Sequence, residues 1–92
     1  MKNIKAFEVL KGTVFTEIEG EAVLLNISNG TYYGLDEVGV DIWKYMNKGR
    51  SFEEIKSYLV NEYKVQESII EKDLIDFLTD LENKGLIRTR CS

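Results

Sequence analysis

Residues 22–35, AVLLNISNGTYYGL, decide how this chain folds. The first half alternates, with Val23, Leu25 and Ile27 on one face of an extended segment and Leu24 on the other. Ser28-Asn29-Gly30 then interrupts, and Asn-Gly tolerates the positive φ angles that a tight primed turn needs. Thr31, Tyr32, Tyr33, Gly34 and Leu35 resume in residues that favour strands, so the stretch reads as a hairpin. Upstream, residues 13–18 (TVFTEI) have the same character and Glu19-Gly20 offers a turn, which extends the hairpin to a three-stranded antiparallel meander. Residues 1–12 fit either a further strand or a flexible arm.

Downstream the apolar period becomes that of a helix. Asp36 caps a first helix with Val38, Ile42, Trp43 and Met46 on one side, and Gly49 stops it. Ser51-Phe52-Glu53-Glu54 matches a capping box, and Phe52, Ile55, Tyr58 and Leu59 form the expected buried stripe of a second helix. Ile70, Leu74, Phe77, Leu78 and Leu81 then space out one face of a third helix over about 68–84. Gly85 closes it, and Leu86-Ile87-Arg88 reads as a short terminal strand. A meander, three helices and a closing strand give an α+β, winged helix-turn-helix-like fold, expected as a single domain over 1–92.

Composition narrows the function. The chain has 92 residues, 43% hydrophobic and 30% charged, with a formal charge of −4. That balance suits a folded domain with one modest core. It has no histidine and its one cysteine is Cys91, so an intrachain disulfide, Cys/His zinc sites and His-activated nucleophiles are all excluded. Neither a membrane-span window nor a signal-peptide pattern is evident, and a cytoplasmic location is expected. Glycines serve as turns and caps rather than a phosphate-binding loop, and no carboxylate pair suggests a tuned acid and base. The expectation is a non-catalytic module without metal or cofactor.

Two features suggest peptide binding. An outer strand carrying Thr31, Tyr32, Tyr33, Gly34 and Leu35 offers main-chain donors and acceptors to an incoming extended peptide. On the third helix, Ile75 sits about 115° from the centre of the apolar stripe by ideal geometry. Glu71, Leu78, Thr79 and Glu82 share its shoulder, so Ile75 and Leu78 are expected to wall a shallow apolar groove beside the strand. A DNA-binding winged helix is the alternative from another class. Against it, the third helix carries Glu71, Asp73, Asp76, Asp80 and Glu82 but only Lys72 and Lys84 as cations, the wrong sign for phosphates.

From Gly20 to Ile87 the chain resembles the PqqD-like family, the peptide-recognition domains of ribosomal peptide modification pathways. Residues 20–25 (GEAVLL) look like the family's second strand, and residues 29–39 (NGTYYGLDEVG) its hairpin and helix start. Ile42-Trp43 resembles the first-helix anchor, residues 51–55 (SFEEI) the second helix, and the run from Asp73 to Leu86 the closing pattern. Asp36 stands where the family commonly has Asn, and both cap helices. The resemblance implies a protein that binds the leader segment of a precursor peptide as a strand beside the meander's third strand, packed against the third helix, and presents it to a modifying enzyme. It is most similar to the freestanding leader-binding proteins of lasso-peptide pathways, whose partners would be a leader peptidase and a cyclase. The quinone-cofactor (PQQ) pathway protein, working with a radical enzyme, is the next candidate. Neither nucleic acid nor membrane is an implied partner, and a monomer or weak dimer is expected.

Overall fold

Strand-forming segments come first and last in the chain, with three helices between. The computed structural model describes residues 4–19 and 21–91, so residues 1–3 of the expected arm and Gly20 of the expected turn lie outside the described residues. The elements run β1 (Ile4–Val9), β2 (Thr13–Ile18), β3 (Glu21–Asn26), β4 (Tyr32–Leu35), α1 (Glu37–Asn47), α2 (Phe52–Tyr63), α3 (Glu67–Asn83) and β5 (Ile87–Cys91). The expected meander is β2-β3-β4, antiparallel throughout. Within the segment before Gly12, Ile4–Val9 form a strand rather than an arm: β1 pairs antiparallel with β5, with Phe7 opposite Thr89 and Val9 opposite Ile87. This two-stranded ribbon is separate from the meander.

The hairpin between β3 and β4 is present, but its turn is wider than Asn29-Gly30 suggests. Asn26 N–H donates to the Thr31 carbonyl at 2.9 Å, and Gly30 N–H donates back to Asn26 at 2.8 Å, so four residues form the loop. Gly30 alone in that loop has positive φ, at 75°. The reason lies in two asparagine side chains. Asn29 Oδ1 accepts from both the main-chain N–H and the hydroxyl of Thr31. Asn26 Nδ2 donates to the carbonyls of Lys84 and Gly85, tying the hairpin to the end of α3. Buried polar groups need such partners, and here the partners are long-range.

Helix starts follow the sequence. Asp36 Oδ1 accepts from Gly39 N–H at 2.7 Å, and Ser51 and Glu54 exchange both bonds of the capping box at 3.1 and 2.9 Å. The core joins Leu24 of β3 to Ile42, Trp43 and Met46 of α1, Phe52, Ile55 and Leu59 of α2, and Ile70, Leu74, Leu78 and Leu81 of α3. Each such side chain, fully buried, contributes about 1.5–3 kcal/mol. Val38, Tyr58 and Phe77, expected in the stripes, are only partly buried and pack at the margin of this core.

Candidate functional site

The meander leaves β4 at an edge, hydrogen-bonded to β3 on one side only. Antiparallel ladders alternate between residues bonded inward and residues whose main-chain groups point away. The Asn26–Thr31 bond fixes the parity. Tyr33 and Leu35, opposite Leu24 and Ala22, therefore bond to β3, while the N–H and C=O of Tyr32 and Gly34 face the open edge. Because β1 is occupied with β5, the chain's own amino-terminal strand does not seal that edge. Side chains alternate too. Tyr32 is 71% exposed, whereas Tyr33 turns inward and meets Phe77 of α3 edge-on, ring centroids 6.0 Å apart.

Helix α3 runs antiparallel to β4. Its carboxy-terminal end meets Thr31, whose hydroxyl reaches the Lys84 carbonyl at 3.3 Å; Phe77 lies beside Tyr33. Burial first, and then the carboxylates of Asp80 and Asp36, push the Tyr33 hydroxyl above its usual pKa. At the far end of β4 the backbone turns into α1 through Gly39. A Cβ built there would stand 3.2 Å from Leu35 and 3.4 Å from Phe77, so glycine lets the strand end and α3 come together. Beyond this contact opens a cavity of about 380 Å³, walled by Val38, Ile42, Leu59, Leu74 and Phe77, with the exposed carboxylates Asp36 and Asp73 in its lining. The site is thus an open strand edge, an aromatic pair and an apolar cavity in sequence.

The structure keeps the strand half of the expected site together and rearranges the helix half. Thr31, Tyr32, Tyr33, Gly34 and Leu35 form or adjoin the edge strand as read. The shoulder of Glu71, Ile75, Leu78, Thr79 and Glu82 does not face it. Leu78 has 0% exposure and belongs to the core, so it walls no groove. Glu71 lies close enough to Lys56 of α2 to support its charge, and Glu82 accepts from the N–H and hydroxyl of Thr89 on β5. Ile75 and Thr79 fall on the same α2/β5 shoulder, about 160° from Phe77 by helix geometry. The face turned to β4 is instead Asp73, Phe77 and Asp80. The sequence does carry a signal for it, since positions i, i+4 and i+7 share a face; Phe77 reads as core there and the aspartates as solvated surface.

Comparison with known proteins follows that geometry. Residues 21–87 match the model of a family described as coenzyme PQQ synthesis protein D (PqqD). No curated protein matches the sequence. Among solved structures, TbiB1 in complex with the TbiA(beta) leader peptide is similar, with 41% identity and a TM-score of 0.81 over 88% of this chain and 94% of that one. A lasso peptide synthetase B1 complexed with the leader peptide has a TM-score of 0.82 over 89% of this chain and 96% of that one. Its identity is 23%, so that likeness is one of fold.

Proposed function

The chain belongs to the PqqD family, and on that footing we propose that it is a non-catalytic adaptor for the leader segment of a ribosomally made precursor peptide. The leader adds as a strand to the open edge of β4, bonding to Tyr32 and Gly34, and lays its inward side chains between β4 and the Asp73–Phe77–Asp80 face of α3. The observation that carries this reading is the unsealed β4 edge, with a largely apolar cavity between the helices opening beyond the Leu35 end of that strand. The 41%-identical TbiB1, solved with a leader peptide, supports the choice of ligand. Presentation to a leader peptidase and a lasso cyclase completes the role, in the cytoplasm; among the described residues no helix is long and apolar enough to cross a membrane. The exposed aspartates of α3 speak against the DNA-binding alternative.

The test is an NMR titration of the ¹⁵N-labelled protein with the TbiA(beta) leader peptide. Amides of Tyr32 and Gly34, and of α3 around Phe77, shift and gain protection from exchange if the strand adds there. Shifts confined to β2, the other edge of the meander, or to the β1–β5 ribbon refute the placement.

A further inference from the structure

We propose that the segment accepted by this groove is cationic: it sets an apolar side chain in the cavity and, two or four residues away on the same strand face, a lysine or arginine against Asp73 and Asp80. This rests on the leader-binding reading above and names the kind of leader the site takes. The cavity wall supplies the first half, since Val38, Ile42, Leu74 and Phe77 offer no hydrogen-bonding side chain. Charge supplies the second. Along the β4-facing side of α3 the exposed side chains are Asp73, Asp76 and Asp80, with Ile69 exposed one turn before Asp73. Asp76 is engaged by Lys72 at 3.3 Å. Among the described residues, Asp73 and Asp80 have no Lys or Arg nitrogen within 4 Å, even though Lys84 stands one turn beyond Asp80. The Asp36 carboxylate accepts from Gly39 N–H at the start of α1, and Asp80 takes a hydrogen bond from the Tyr33 hydroxyl. Asp73 and Asp80 thus both lack a cationic partner, but among the described residues only Asp73 has no hydrogen-bond partner of this kind.

Spacing ties the two halves together. Asp73 lines the cavity, and Asp80 lies seven residues along the helix, about 10 Å by its rise. Same-face residues on a strand come about 7 Å and 13 Å apart. A long basic side chain at either even spacing from the anchor therefore reaches Asp80, or Asp73 and Asp80 together. An acidic residue at those positions would face two uncompensated carboxylates across a groove that excludes part of the solvent, which gives discrimination as well as attraction.

The experiment uses three synthetic extended peptides of one sequence, each with a single leucine anchor, carrying lysine, glutamine or glutamate at the two helix-facing positions. Fluorescence anisotropy should rank them lysine, glutamine, glutamate, with lysine over glutamine by roughly three- to tenfold at low salt, from two partly exposed ion pairs. The preference should shrink at high salt and vanish in the Asp73→Asn/Asp80→Asn double variant, whose fold is checked by circular dichroism. Equal affinities, or a lysine preference that survives in the double variant, overturn the inference. If the peptides still shift the Tyr32 and Gly34 amides without charge preference, the leader-binding reading stands and only this inference falls. If neither these peptides nor the TbiA(beta) leader bind the edge, both fall.

Discussion

Replacing Gly34 by proline separates binding through the strand edge from stability of the sheet. Gly34 N–H points to the open side of β4, so a proline there removes a donor that the meander does not use. Space is available, since a Cβ built on Gly34 meets nothing within 4 Å. The preceding Tyr33 is already in a strand, the conformation that a following proline favours. Stability should therefore change by less than about 1 kcal/mol, since an edge position tolerates the ring. Binding should not survive as well. A strand added beside Tyr32 and Gly34 gains up to four main-chain hydrogen bonds, each worth about 0.5–1.5 kcal/mol net. Proline deletes one of these and its ring holds the incoming backbone away from its neighbours. A loss of about 1–3 kcal/mol, or roughly 5- to 150-fold in Kd, is expected. Calorimetric titration with the TbiA(beta) leader peptide measures it, and urea unfolding measures the stability. The matching control is Tyr33→Pro, which removes a donor used within the ladder and should cost stability outright. A folded Gly34→Pro variant that binds with unchanged affinity refutes strand addition at β4.

Two further outcomes concern the scaffold. Gly85→Ala should destabilise by about 1–3 kcal/mol in urea unfolding, because Gly85 holds φ at +74° and a new Cβ would stand 2.8 Å from Asn26 Nδ2, the group that ties the hairpin to α3. Unchanged stability would mean that the Asn26 tie is dispensable. Tyr63 donates its hydroxyl to Asp41 at 2.9 Å, and this hydrogen bond, with burial, raises its pKa from an ordinary 10.0 to about 12. A folded pKa above the unfolded one favours the protonated phenol, so its stabilising effect is complete below pH 10 and is lost as pH climbs through about 12. Tyr33 and Tyr58 are also raised, Tyr58 partly by the same Asp41. Ultraviolet titration should therefore find several late tyrosines, of which the latest, Tyr63, moves toward 10 in Asp41→Asn while Tyr33 stays in place; a titration indifferent to that substitution would remove Asp41 as the cause.

The sequence by itself determined the elements from β2 onward and their order, and left β1 open. The alternation in β3, the caps at Asp36 and Ser51 and the stripe on α3 are each set by neighbours a few residues away, and each appears in the structure. It also marked β4 as an outer strand, because three consecutive strands joined by short turns place the third at an edge. Three matters were decided only by tertiary contacts. The four-residue hairpin turn follows from Asn26 reaching carbonyls 58 and 59 residues away, which local turn preference cannot register. Pairing of β1 with β5, rather than with β4, depends on the two chain ends meeting after the helices have packed, and that pairing is what leaves the edge open. Last, an amphipathic helix has two shoulders beside its buried stripe that are equivalent in sequence. Which of them turns toward β4 is fixed by how α1 and α2 carry the chain across the sheet, and here it is the shoulder of Asp73, Phe77 and Asp80, not that of Ile75.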